Sequence, residues 1–324
     1  MAKALFSVGG SNGLVWEDFL TICTACDEMG YWGFYPSDHL MQIQQGRGPS
    51  SKRLEGLTVM AAMSGHTKNL RLGMLVVNNN LRHPVILAKM INTIDHASGG
   101  RAELGIGSGN VKKEHDVHGI NYPAYQERID RMDESLSVMK ALWTQDPANF
   151  KGRYFTLDEA PSNPFPVQRP HPPIIIGGTG ERTMQVAAKH ATDYNQITSR
   201  LDVIENLGKF HGYLAAAGRK PQEMRHSVQI QLRMSDSKAD VDKYISDMAA
   251  IYANQPSHHA SKHYKSMEEQ LRDSMLWGSV DNVTEQVGRW IESGVDHFII
   301  MTPRPFNRDM METFASKIAP QLCK

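Results

Sequence analysis

Short apolar runs recur along the chain, each stopped by glycine, asparagine or a polar pair, and most are followed by apolar positions at helical spacing. The first run, 4–8, ends at Gly9-Gly10. Phe19, Leu20, Ile22, Cys23, Cys26 and Met29 then fall on one face of a predicted helix over 16–29, which Gly30 stops. The second run, 33–36, leads into Ser37-Asp38-His39. A helix is predicted over 57–63, and the third run, 70–77, passes into Asn78-Asn79-Asn80. The fourth, 102–106, precedes Gly107-Ser108-Gly109 and a long amphipathic helix over 125–143. A hairpin-like excursion over 150–166 turns at Lys151-Gly152-Arg153. The remaining runs are 173–176, 193–198, 227–234 and 297–301, with helices predicted over 183–189, 282–293 and 310–322.

Buried runs alternating with amphipathic helices predict a parallel sheet with helical crossovers. Eight of them in 324 residues predict an α/β fold of the closed (β/α)8 type, one domain over 1–324. Residues 236–277 are too long for an ordinary connection. They read as an insertion after the seventh strand: a helix over 240–253, a polar stretch over 254–265, then a second helical piece, together a lid over the barrel mouth.

Composition narrows the field by exclusion. Thirty-five Lys+Arg balance 35 Asp+Glu, so the basic excess that binds nucleic acid is missing. No run approaches the ~18 apolar residues of a membrane span, and the first residues lack a signal-peptide pattern. The three cysteines cannot frame a disulfide scaffold, so the expectation is a soluble, reduced, cytoplasmic protein. Cys23-Thr24-Ala25-Cys26 lies inside an amphipathic helix, where a core-facing pair is the better reading than a redox or zinc motif. His258, His259 and His263 read as surface histidines, and no metal site is expected.

In such a barrel, chemistry collects at the C-terminal strand ends. Those ends are polar and glycine-rich here. Gly177-Gly178-Thr179-Gly180 follows an Ile-rich strand and opens a helix, a place where backbone N–H groups favour a phosphate. The same glycines would serve a plain strand-to-helix turn, and both readings stand. Gly105-Ile106-Gly107-Ser108-Gly109 lacks the spacing of a dinucleotide fingerprint. Asp38-His39 reads as an acid/base pair in which the carboxylate fixes the histidine tautomer, or as a hydrogen-bonding strand end.

Five blocks, taken together, carry a family likeness: Ser37-Asp38-His39-Leu40; Arg82-His83-Pro84 with Ala88-Lys89-Met90; Asp95 to Arg101 leading into Leu104 to Gly109; Pro172 to Gly178 with Ala187 to Ala191 and Asp193; and Gly278 to Val283 with Gly294-Val295-Asp296. The chain resembles the bacterial luciferase-like oxidoreductases, which use reduced FMN or the deazaflavin coenzyme F420. The resemblance implies a barrel holding the ring in its mouth, the phosphate at Gly177, Gly178, Thr179 and Gly180, and Ser108 and Gly109 among the cofactor contacts. It also implies a non-prolyl cis peptide at the end of strand three, by position Leu75-Val76, with Asn78 nearby. Asp38 and His39 match the polar strand-two end that faces the ring. A homodimer is expected on the same ground. Where F420-dependent sugar-phosphate dehydrogenases carry Glu after Gly109, this chain has Asn110, while Glu114 and His115 remain in that loop as polar contacts.

Two mechanisms follow from the likeness: F420-dependent hydride transfer to or from a small organic substrate, toward which the motifs lean, and a reduced-FMN monooxygenase using O2 with a separate reductase. A non-catalytic flavin-binding or scaffold barrel is the third reading. Specificity is expected from residues 254–277 and from Trp16, Met41 and Trp277.

Overall fold

The computed structural model describes residues 4–10, 15–41, 53–253, 261–301 and 305–322. Its strands are β1 (Leu5–Gly9), β2 (Gly33–Tyr35), β3 (Arg71–Leu72), β4 (Val77–Asn78), β5 (Leu104–Gly107), β6 (Ala148–Lys151), β7 (Thr156–Ala160), β8 (Ile174–Gly177), β9 (Asp193–Gln196), β10 (Arg225–Met234), β11 (Met275–Gly278) and β12 (His297–Met301). The large sheet runs β3-β2-β1-β12-β10-β9-β8-β5-β4, all pairs parallel. Its two end strands are the halves of one interrupted strand, so the sheet closes on itself, helped by a Leu72–Ala102 bridge. The eight expected runs are therefore the eight staves of an α/β barrel. Run three is broken where the chain between β3 and β4 bulges inward.

Side chains alternate across each strand. Phe6, Val8, Leu104, Ile106, Ile174, Ile176, Tyr194, Val228, Ile230 and Phe298 join the large core between barrel and helices. Their neighbours Ser7, Glu103, Asp193, Asn195, Ser227 and His297 are buried polar groups on the other face, the barrel interior. Tyr35, Leu75, Ile175 and Ile299 form a small apolar cluster there, with Val76 packed on it. The interior is thus a filled, partly charged core rather than a pore.

The crossover helices show why the chain stops and starts where it does. Helix Pro84–Ser98 has proline in its first turn, the His83 ring accepting the Val85 N–H, and Gly99 at φ 67° as its left-handed end. Helix Val280–Glu292 is capped by Ser279 and Asn282 reciprocally and buries Val283, Gln286, Val287 and Trp290 along one stripe. The sequence pattern leaves helices Pro84–Ser98 and Arg200–Ala216 unassigned; both are crossovers of the barrel. The excursion after helix Tyr125–Thr144 is the antiparallel pair β6–β7, with the Glu134 carboxylate accepting the N–H groups of Arg153, Tyr154 and Phe155 in its turn.

The insertion is helical as expected at Lys238–Ala253 and Met267–Arg272, but ends in a strand, β11, which pairs with the C-terminal half of β10. Val241, Ile245, Ala249, Leu271 and Met275 form a separate apolar cluster inside it. Residues 254–260, part of the expected lid, lie outside the described residues. Cys23 and Cys26 are fully buried, and burial pushes the Cys23 thiol up to about 12, which fits the core-facing reading. His263 pairs with Glu205 at 2.9 Å. Among the described residues no helix is long and apolar enough to cross a membrane.

Asp296, just before β12, has its carboxyl pushed up from 3.8 to about 6 by burial, with the Asp193 charge adding to it, although the His226 N–H donates to it. A raised acid favours the folded state only while protonated. The Asp296 contribution to stability therefore falls as pH rises from about 4 to 6. Asp296→Asn keeps the acceptor without the charge and should raise stability at pH 7 by roughly 2 kcal/mol, with no gain below about pH 4. Urea titrations at the two pH values check this; an equal effect at both would refute it.

Candidate active site

A cavity of about 600 Å³ opens at the C-terminal ends of the strands. Its lining includes every cofactor-contact residue expected from sequence: Leu75, Val76, Asn78, Ser108, Gly109, Gly177, Gly178, Thr179 and Gly180, together with Asp38 and His39. The Leu75–Val76 peptide is cis, at the position the resemblance implies. Trp16, Met41 and the described insertion residues, Trp277 included, are not in the lining. Trp277 instead stacks on Arg272, 5.2 Å from ring centroid to guanidinium.

Asp38 and His39 turn out to serve different partners. Both oxygens of the buried Asp38 carboxylate go to Arg82, at 2.6 and 2.9 Å, and one also accepts the Asn78 N–H at 3.1 Å. Arg82 continues to Glu55, which caps helix Gly56–Ser64. Asp38 is thus bound into a bidentate ion pair that ties β2, β4 and a helix together, and the expectation that it orients His39 is corrected. The carboxylate that meets His39 belongs to Glu114, with Oε2 at 3.3 Å from Nδ1. Glu114, on the short helix Lys112–Val117, also accepts the N–H groups of Leu40 and Met41. Burial pushes its carboxyl up, but the His39 hydrogen bond and those two N–H groups outweigh it, leaving Glu114 below the ordinary carboxylate range. An ionised Glu114 accepts from Nδ1–H, and among the described residues no group bonds the other ring nitrogen, Nε2. The Asn110 departure therefore does not leave the site without a carboxylate.

The loop after β5 is held by amides. Asn78 Nδ2 donates to His115 Nε2 at 2.8 Å, which places the His115 proton on Nδ1 toward the Asn121 carbonyl at 3.0 Å. Asn78 Oδ1 accepts the Asn80 N–H, and Asn80 donates to the Ser108 carbonyl. Gly109 passes this crossing at φ 75°, where a Cβ would lie 2.5 Å from Asn78 Oδ1.

At the other end of the cavity, Gly177–Gly180 opens helix Glu181–His190. A Cβ on Gly180 would lie 2.6 Å from the Tyr125 hydroxyl, so glycine keeps that cradle open. The one carboxylate of the first turn, Glu181, is drawn off by Tyr213, whose hydroxyl donates to it at 2.9 Å. Sequence reasoning passed over Arg128. It lines the cavity; its guanidinium lies 3.9 Å from the Tyr122 ring centroid and, among the described residues, donates to the carbonyls of Ser108 and Pro123. Among the described residues no carboxylate pairs with it. The available signal was a cation in the first turn of helix Tyr125–Thr144, where the helix dipole disfavours one. The Gly178 N–H is already given to the Asn195 carbonyl at 3.2 Å, so an anion at this end would meet the Gly180 end of the turn, the hydroxyls of Thr179 and Thr183 and an arginine with no carboxylate partner among the described residues.

The family described as luciferase-like monooxygenase matches residues 3–297. The chain belongs to that family. It is 24% identical over 328 residues to an F420-dependent glucose-6-phosphate dehydrogenase of Amycolatopsis mediterranei, covering 94% of each chain. An uncharacterised protein of Sinorhizobium fredii is 32% identical over 185 residues, 57% of this chain, and the match spans about half of that protein, 52%. Among solved structures, an F420-dependent secondary alcohol dehydrogenase in complex with an F420-acetone adduct shares the fold at TM-score 0.81 and 21% identity, covering 98% of both chains. This luciferase-like chain is an α/β barrel oxidoreductase.

Proposed function

We propose that the protein transfers a hydride between coenzyme F420 and a small organic substrate, with His39 handling the accompanying proton. The observation that carries this reading is the His39–Glu114 pair at one end of a cavity lined at its other end by Thr179, Gly180, Thr183 and Arg128. The residues present fit a phosphate-bearing ring cofactor. Gly180 leaves a cradle that a Cβ would fill, and Arg128 has donors to spare. The backbone of Thr179 and Gly180, the hydroxyls of Thr179 and Thr183, and Arg128 would hold the phosphate. Leu75, Val76, Asn78, Ser108 and Gly109 would border the ring. The relative matched along nearly its whole length acts with F420, which supports that cofactor over FMN.

When bound, such a cofactor supplies two-electron hydride chemistry at its ring. The chain supplies the rest. Glu114 fixes the His39 tautomer and ring orientation, so that Nε2 gives or takes the proton at a substrate oxygen or nitrogen. Asp38 and Arg82 position the strand end that carries His39. The apolar cluster under Val76 keeps water from beneath the ring site.

The family's description as monooxygenases favours a second reading, in which the same residues would hold reduced FMN, delivered by a separate reductase, and the cofactor would supply O2-dependent oxygenation chemistry. Calorimetric titration with F420, FMN and, anaerobically, reduced FMN separates the two. Micromolar or tighter selective F420 binding supports hydride transfer, selective binding of reduced FMN supports the oxygenase, and binding of none leaves a non-catalytic barrel. In the same assay Arg128→Met should weaken binding of the phosphorylated cofactor by roughly 10–100-fold, the loss of one or two charge-assisted hydrogen bonds. The dephosphorylated flavin, riboflavin, should bind both proteins alike. Equal loss with riboflavin would remove the phosphate assignment.

A further inference from the structure

Beneath the cavity the barrel interior holds a continuous line of hydrogen bonds that the chemistry above leaves unused. Ser7 Oγ meets His297 Nε2 at 2.8 Å, His297 Nδ1 meets Asp193 Oδ2 at 2.8 Å, and Ser227 Oγ donates to Asp193 Oδ1 at 2.5 Å. Asn195 Nδ2 then donates to Ser227 Oγ at 2.9 Å. Ser7, Asp193 and His297 are fully buried, and Ser227 is 1% exposed. Ser, His and Asp in this order resemble a hydrolytic triad, but Ser7 faces a packed interior with no room for a substrate. The direction of the line is what matters.

Burial alone would push the Asp193 carboxyl up. The His297 hydrogen bond and charge, the Arg225 charge and the Ser227 hydrogen bond outweigh burial and hold it below the ordinary range. An ionised carboxylate only accepts. The single Ser227 hydroxyl proton is therefore committed to Asp193, and Ser227 must accept from its other neighbour. That neighbour is Asn195, whose NH2 is the only part of the amide able to donate. The amide cannot turn over without setting two acceptors against each other, at a cost of an unsatisfied buried group.

Asn195 is 2% exposed and lines the cavity. Its backbone carbonyl accepts the Gly178 N–H at 3.2 Å, which anchors it beside the anion site. With Nδ2 engaged, Oδ1 is the free polar atom of the side chain, 3.8 Å from where a Cβ on Gly177 would stand. Among the described residues nothing donates to it.

We infer that Ser227 and Asp193 are positioning residues that lock the Asn195 amide with Oδ1 toward the cavity, as the acceptor for an N–H group on the bound ring. The inference rests on the reading of this cavity as a flavin-type cofactor site. It assigns Asn195 to the imide N–H at the pyrimidine edge, a donor common to flavin and deazaflavin, and so makes the site a reader of that edge.

Calorimetry with F420 and FMN identifies the one the protein binds, and its N3-methylated derivative, which lacks the imide proton, is the probe. The wild type should bind the parent at least tenfold more tightly than the methylated form. Ser227→Ala, which frees the amide to turn, and Asn195→Leu, which removes the acceptor, should bring the ratio to within about threefold. Ser227→Thr should restore it. Methyl bulk alone would keep the ratio high in Ser227→Ala, so that result overturns the inference, as does a wild-type ratio near one. If Ser227→Ala fails to fold, Asn195→Leu decides by the same ratio. Binding of neither cofactor overturns the cofactor reading and this assignment with it; binding without discrimination overturns the assignment alone.

Discussion

His39→Ala is expected to lower kcat by about 10²–10⁴-fold, the usual contribution of a positioned acid/base, while cofactor affinity changes by less than about threefold. The split follows from position. Among the described residues the His39 side chain bonds to Glu114 and to none of Thr179, Gly180, Thr183 and Arg128. The fold should survive, because the side chain is about a quarter exposed, at 27%, and Glu114 keeps the N–H groups of Leu40 and Met41. A panel of carbonyl and electron-poor alkene substrates, assayed with whichever cofactor the titrations select, supplies the readout. Asp38→Asn provides the contrast: it loosens the Arg82 pair and should lower stability along with activity. A kcat for His39→Ala within a factor of a few of wild type would reduce His39 to a hydrogen-bonding strand end.

Arg225→Met should destabilise the protein by about 3 kcal/mol at pH 7, near the lower end for breaking a buried ion pair. Arg225 lies between two buried carboxylates, 3.3 Å from Glu103 and 3.4 Å from Asp193. Glu103 keeps Arg71 and the Tyr35 hydroxyl, and Asp193 keeps His297 and Ser227, which moderates the loss. Burial pushes both carboxyls up, but these partners hold both below their ordinary values. Their stabilising contribution is therefore complete above the unfolded values near 4 and fades as pH falls through the lower folded ones. The gap between variant and wild type should narrow below about pH 4. Urea denaturation at pH 7 and pH 3.5 measures it, and a gap independent of pH would mean that lost packing, not charge, is responsible.

The barrel was legible because each stave is a short buried run ending in a polar or glycine signal, and closure needs eight of them. Helix Arg200–Ala216 was legible in principle: Ser199 caps it, and Val203, Leu207, Phe210 and Leu214 make its stripe. Gly208 and Gly212 interrupt the pattern and hid it. Strand β11 is four residues inside a stretch that reads as helix and linker, and only its neighbour β10 makes it a strand. Gly177–Gly180 and His39 could be placed at the cavity because each directly follows a strand of the barrel, where the chain reaches the mouth. The partner of His39 could not. Adjacency favoured Asp38, but successive residues point apart, and Asp38 meets an arginine that arrives from the far side of β4. Arg128 was hidden in the first turn of a long helix; Asn195 is legible as a polar strand end, but the partners of its amide come from other strands and are not.

The insertion's private cluster of Val241, Ile245, Ala249, Leu271 and Met275 bears on how this barrel can diversify. Because those side chains pack on one another, while the segment meets the barrel through the β10–β11 pairing and polar contacts to helix Arg200–Ala216, their size and shape are set mainly within the segment. Drift there is bounded by a small internal fit rather than by the catalytic scaffold. The constraints on exchanging the segment lie at its seams, the β10–β11 pairing and the contacts of Ser261, His263 and Asp273 with Asp202, Glu205 and Arg200, rather than in its apolar interior.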